Sequence, residues 1–330
     1  MYEKPRGDRK AICNVEIGGT PVIFDRTAPE GGRLVGMTEG AVFQELAIET
    51  SLPTCPRIQQ RIRLYRDLKI AEITNVVTKE ENYDPEGVYF AFPFDVPDPL
   101  FHCEIADGIM RPGKDQLTYS CQDYYAIQHW VHVSGGGFGI TMAPLEAPLV
   151  MCAGLHAGTW ADRIAFDNGH VFSWVMNNYW MTNFRAGQAG DIPFRYRLTS
   201  AAGEFDAFAS TQFAWQPFYP LAATWLATRP NAKPPASGST LALSGDPVLL
   251  SCVKQAETGD SLILRLLEVR GRPAACTVRL SQPPGLKIVK GALANVVEEP
   301  RATLEVAGNA FTVRLRPYEV LTVRLTTEAA

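Results

Sequence analysis

The chain has 330 residues, a formal net charge of −4, 46% hydrophobic and 20% charged residues. That length and balance suit one large or two smaller folded domains, each able to bury its own core, and leave no room for a disorder reading. The mild acidity, with arginines scattered rather than clustered, argues against a nucleic-acid partner.

Cys13, Cys55, Cys103, Cys121, Cys152, Cys252 and Cys276 are odd in number and form no CxxC pair, which disfavours a disulfide scaffold and favours a reducing compartment. The opening Met1-Tyr2-Glu3-Lys4-Pro5-Arg6 lacks the apolar core of a signal peptide, and no apolar run approaches a membrane span. The expectation is a soluble, cytoplasmic protein without a membrane partner.

Strand signals run from end to end. In Arg57–Leu64, Ile58, Ile62 and Leu64 share one parity while Gln59, Arg61 and Arg63 share the other, the period of a half-buried strand. Glu86-Gly87-Val88-Tyr89-Phe90-Ala91-Phe92-Pro93-Phe94-Asp95 is dense in aromatics and reads as a buried strand; Tyr89 could show its hydroxyl at a cleft, although a hydrogen-bonded core Tyr is the commoner case. Asp95, Asp98, Asp107, Asp115 and Asp123 all stand near turns. Glycoside hydrolysis needs two carboxylates about 5–10 Å apart, and sequence cannot pair any two of these.

His129 and His132, three apart in a strand, point to opposite faces and cannot share one metal ion; Cys152 and His156 have no further ligands at zinc spacing. Ser134-Gly135-Gly136-Gly137-Phe138-Gly139 reads as a hairpin turn, since no helix with Lys-Ser/Thr follows it to make a phosphate cradle. Phe172-Ser173-Trp174-Val175-Met176-Asn177-Asn178-Tyr179-Trp180-Met181-Thr182-Asn183 mixes aromatic and amide side chains as sugar sites do, aromatic faces for the C–H face and amides for the hydroxyls. Its plainer reading is a strand and an Asn-rich turn with Trp174 and Trp180 in the core.

The Pro/Ser/Gly-rich stretch around Pro230–Ser239 marks a boundary, so a large β domain is expected over 1–229, a linker over 230–240 and a smaller β-sandwich over 241–330. In the last part, Leu262, Leu264 and Leu266 open a strand, and Phe311, Val313 and Leu315, then Leu321, Val323 and Leu325, alternate with polar residues. Pro317-Tyr318-Glu319 reads as the corner joining two antiparallel strands. With 27 glycines and 24 prolines between strand-like runs, and no convincing amphipathic helix, the fold class is all-β.

Taken in order, these segments resemble the C-terminal region of family 38 glycoside hydrolases, the α-mannosidases, in bacterial form. The resemblance is carried by Glu86-Gly87-Val88-Tyr89-Phe90-Ala91-Phe92-Pro93-Phe94, by Asp115 through Val131 with Gly139–Ala143 and Ala147–Val150, and by Asn177-Asn178-Tyr179-Trp180 with Asn183. Arg265-Leu266-Leu267-Glu268 with Gly271 and Pro317–Leu325 resemble the closing sandwich.

The resemblance implies a galactose-mutarotase-like β supersandwich, N-terminally incomplete, followed by a smaller β-sandwich. It also implies an α-mannoside or related glycan as ligand, with Tyr89, Asn177, Asn178, Tyr179, Trp180 and Asn183 as substrate contacts. Eukaryotic members carry an Asp-Arg-Arg cluster where this chain has Asn177-Asn178-Tyr179. The family's nucleophile, acid and most zinc ligands lie upstream, in a barrel that needs on the order of 200 residues of alternating strand and helix. No segment here reads that way. The expectation is therefore no cofactor, catalytic residue or metal in this chain, with zinc in a missing N-terminal catalytic half that would be its partner. The true protein would then be longer, or its gene split. A stand-alone carbohydrate-binding module and an aldose epimerase on the mutarotase-like fold remain alternatives.

Overall fold

The computed structural model describes residues 1–13, 19–181, 183–225, 237–281 and 285–329. Strand accounts for 51% and helix for 6%, so the class is all-β. The chain divides into two compact units, Met1–Phe205 with Phe213–Phe218, and Asp206–Gln212 with Tyr219–Ala330. The expected boundary stretch, 230–240, falls outside the described residues as far as 236.

In the larger unit a six-stranded and a nine-stranded antiparallel sheet enclose one core. The six-stranded sheet supplies Val88, Phe92, Val150, Cys152 and Val171, and the nine-stranded sheet supplies Ile58, Val77, Phe101, Val131, Met142 and Tyr196. Strand Gly87–Phe94 lies between Tyr2–Pro5 and Gly169–Asn177. Its Val88, Phe90 and Phe92 meet the core on one parity, as the pleat requires. The glycine-rich segment is the hairpin expected of it, joining Val131–Gly135 to Phe138–Pro144.

The smaller unit packs a three-stranded sheet (Leu241–Gly245, Ala274–Leu280, Ala310–Leu315) on a five-stranded one containing Leu262–Leu267 and Val320–Ala329. Leu264, Leu266, Val278, Val313, Leu315, Val323 and Leu325 form its core. The corner at Pro317-Tyr318-Glu319 does not join two paired strands. It crosses from one sheet to the other, and in a sandwich both sheets show the same alternation to the core. The corner is held by Glu268, fully buried, which accepts from the backbone N–H groups of Arg270, Gly271 and Tyr318 at 2.6, 2.8 and 3.0 Å. Gly271 has φ +70° and its missing Cβ would stand 2.6 Å from the Tyr318 hydroxyl, so glycine is needed there on both counts.

Helix Ala207–Trp215 was not legible in the sequence, because its apolar residues recur on every side instead of one face. Its start is set by Asp206, whose Oδ1 accepts from the N–H of Phe208 at 2.9 Å and of Ala209 at 3.3 Å. Among the described residues no helix is long and apolar enough to cross a membrane.

Candidate functional site

The aromatic, amide-rich segment ends the strand Gly169–Asn177. Its ladder to Gly87–Phe94 slips between Trp174, opposite Tyr89, and Met176, opposite Val88, leaving Val175 as a bulge. A bulge re-aims the side chains that follow it, and here Asn177 and Asn178, two and three residues on, divide the work. Asn178 turns inward and is buried. Its Oδ1 accepts from the Glu86 N–H at 2.7 Å, and its Nδ2 donates to the carbonyls of Asn82 (3.1 Å) and Asp84 (2.9 Å). It clamps the loop that precedes the central strand. Asn177, paired with Gly87 at the end of the ladder, stays half-buried, and its side chain hydrogen-bonds to none of the described residues.

The clamped loop presents Glu86, whose Oε1 meets Lys79 Nζ at 2.6 Å with both side chains almost wholly withdrawn from solvent. Its Oε2 accepts from Thr54 Oγ1 at 2.9 Å and Asn82 Nδ2 at 2.8 Å, and Lys79 also donates to the Glu80 carbonyl at 2.7 Å. A buried pair survives only when its remaining donors and acceptors are met in this way. Above the pair lies a cavity of about 290 Å³, lined among others by Lys79, Glu86, Glu146, Trp174, Asn177 and Gln188. That is the small end of ligand pockets, which run about 300–1,000 Å³.

Beneath, a second network fixes the sheet. Glu3, 0% exposed, accepts from the hydroxyls of Tyr89 and Tyr179 on Oε1, each at 2.7 Å, and from Arg26 Nε on Oε2 at 2.9 Å. Burial pushes both hydroxyls far above the usual tyrosine range, seconded at Tyr89 by Tyr179 and Glu3 and at Tyr179 by the charge of Glu3, so neither is an acid–base group. Trp174 stacks on Tyr89 with ring centroids 5.8 Å apart.

The structure therefore separates the six residues singled out in the sequence. Tyr89, 1% exposed, and Tyr179 are hydrogen-bonded core tyrosines that do not line the cavity. Asn178 reaches it with both amide hydrogens and its carbonyl oxygen already engaged inside the protein. Asn177 lines it freely. Trp180 packs half-buried against Trp174 and Tyr179, and Asn183 is exposed away from it. Gln188, Glu146 and Lys79 were missed; they come from distant strands and loops, and no local pattern marks them.

The carboxylates offer no acid–base pair in this cavity. Both oxygens of Glu86 are occupied, and Glu146 accepts from the N–H and Nε of Arg195 at 2.7 and 2.6 Å. Of the turn aspartates, Asp123 caps the N–H groups of Thr159 and Trp160, and Arg111 holds Asp115 down to about 2. Asp98 and Asp107 sit at positive φ, in turns.

Among the described residues no three His, Cys, Asp or Glu side chains stand together as metal ligands. His129 pairs with Glu104, while His132 lies directly across the ladder from His102 and hydrogen-bonds Thr141.

Two sequence models of one family match the chain. "Glycosyl hydrolases family 38 C-terminal domain" spans residues 25–147, and "Glycosyl hydrolases family 38 C-terminal beta sandwich domain" spans 247–323. Human "Alpha-mannosidase 2C1" is 30% identical over 141 residues, 41% of this chain and 13% of that protein. The crystal structure of an α-mannosidase from Enterococcus faecalis V583 shares the fold at a TM-score of 0.67 and 17% identity, covering 90% of this chain and 35% of that one. A second E. faecalis structure, a protein in glycosyl hydrolase family 38, gives 0.67 and 16% over 92% of this chain and 37% of the other. The chain thus spans little more than a third of the length of these structures. Both units, each matched by its own part of one family's C-terminal region and in the family's order, show that this chain belongs to glycoside hydrolase family 38, as an α-mannosidase-like C-terminal β region.

Proposed function

We propose that the chain is the glycan-contacting, non-catalytic region of a family 38 α-mannosidase-like hydrolase, acting with a catalytic portion that carries the nucleophile, the acid and zinc. The observation that carries this reading is the cavity on the bulged strand: a rigid, charge-neutral floor of Lys79 and Glu86 beneath the unbonded amides of Asn177 and Gln188, beside Trp174. Amides matched to hydroxyls next to an indole suit a single sugar unit.

The same groups do not suit catalysis. Two or three hydrogen bonds contribute about 0.5–1.5 kcal/mol each, whereas enzymatic acceleration requires about 8 kcal/mol or more, and the two carboxylates lining the cavity, Glu86 and Glu146, are both held in ion pairs. A cytoplasmic setting accords with seven cysteines that are all free.

Release of nitrophenol from an aryl α-mannoside by the purified chain, with and without zinc, tests this. No turnover is expected from the chain alone. Addition of the polypeptide encoded directly upstream should restore it, and Asn177→Ala or Gln188→Ala should then raise KM. Turnover by the chain alone would overturn the reading. Tight mannoside binding with no upstream partner encoded would make the chain a free-standing binding module.

A further inference from the structure

The nine-stranded sheet continues well past the six-stranded sheet that covers its middle. Its outer strands are Arg33–Glu39, Phe43–Leu52 and Cys55–Tyr65, and the next, Ala71–Lys79, pairs with Gly190–Ala202. Directly paired residues share a face. The row Met37, Leu46, Ile62, Ile73, Tyr196 therefore lies on one side of the sheet, flanked by Leu34 and Ile48 and by Leu64. At its inner end this row is core: Tyr196 is buried and Ile73 packs against the same cluster. At its outer end the same apolar row is bare, with Leu34 60%, Met37 72% and Leu64 54% exposed.

The opposite side of these strands is built for water. There Glu45 pairs with Arg63 and Glu49 with both Arg33 and Arg57, and the Arg63 guanidinium lies over Phe43. One face solvated by ion pairs and the other aliphatic is the pattern of a strand with one covered side. Contiguous apolar surface left open on a folded unit marks a docking site.

We infer that this aliphatic face is where the catalytic portion of a family 38 enzyme packs, an inference that rests on the function proposed above. The surface has no aromatic ring for sugar to stack on; its Leu, Ile and Met are joined by Gln60 and, at the rim, by Gln44, which donates to Glu39 at 3.1 Å. A second copy pairing edge to edge along Arg33–Glu39 would extend the sheet in its own plane and leave the face open, and the bulge at Val35 breaks the ladder such pairing needs. Polypeptide to cover the face does exist in the relatives: about two-thirds of each E. faecalis chain lies outside the part that this chain matches. The occupant is thus an aliphatic surface of that remaining portion, completing the sandwich core outward from Ile73.

The test is sedimentation velocity of the chain mixed with the polypeptide encoded directly upstream. A complex is expected with the native chain and with Arg61→Ser, on the charged face. Leu46→Asp/Leu64→Asp should weaken it by on the order of a hundredfold, two buried carboxylates being hard to accommodate in an apolar contact. Because these leucines touch solvent, the double variant should melt as the native chain does. Should it not, maleimide labelling of Leu64→Cys decides: protection in the complex supports the inference, and unchanged labelling overturns it. A complex that forms equally with the double variant removes this face as the dock and leaves the two-part reading standing. A homodimer abolished by the double variant, with no mixed complex, would give the face to a second copy. No complex with the native chain would take down both the docking face and the two-part reading.

Discussion

Replacing Glu86 with glutamine takes one charge from the floor of the cavity while keeping the shape and the acceptor oxygen. Lys79 then keeps its position, 3% exposed, with its carboxylate partner at 2.6 Å gone and only the Glu80 carbonyl at 2.7 Å in its place. Breaking a buried pair from one side costs about 3–5 kcal/mol, because the remaining charge stays desolvated. At about 2–4 °C per kcal/mol for a domain of this size, the larger unit should melt roughly 10 °C lower. Differential scanning calorimetry of native chain, Glu86→Gln and Lys79→Met/Glu86→Gln checks this. The double variant has no stranded ammonium, and its carboxamide still accepts from Thr54 or Asn82. It should recover the loss to within about 1–2 kcal/mol. Were Glu86→Gln alone to melt within about 1 kcal/mol of the native chain, Lys79 would have to be hydrated from the cavity. The argument for a rigid, charge-neutral floor would then fail.

Adjacent asparagines should behave oppositely. Asn178→Ala loses three side-chain hydrogen bonds to the 82–86 loop and strands the Glu86 N–H. Urea denaturation should show about 2–4 kcal/mol of destabilisation, against less than about 0.5 kcal/mol for Asn177→Ala. Burial holds both His102 and His132 down to about 4 from 6.5. Between those values the unfolded chain binds protons that the folded chain does not, so stability should fall as pH drops from about 6.5 to about 4, by up to about 1.4 kcal/mol per pH unit for each ring. Denaturant midpoints across that range read the slope, and His132→Gln should remove one ring's share.

Strand content, the cross-strand alternation of Ile58, Ile62 and Leu64, and the sandwich at the end of the chain were legible because a period of two is written into neighbouring residues and needs no partner to be seen. So was the family, through segments such as Glu86–Phe94 and Pro317–Leu325 standing in order. What alternation cannot express is what covers a face. Ile58 is core and Leu64 is bare although they share a parity, because the second sheet reaches one and not the other. Nor can it tell two neighbouring amides apart. Tyr89 went to the core because Glu3, 86 positions earlier, lies in the strand beside it, and Asn178 became a clamp because a loop 92 positions earlier passes under the bulge. Of the six, only Asn177 and Asn178 line the cavity, and Asn177 alone brings an unbonded amide to it. The partners that make those choices are long-range contacts, whose energies depend on atoms brought together only when the sheet closes.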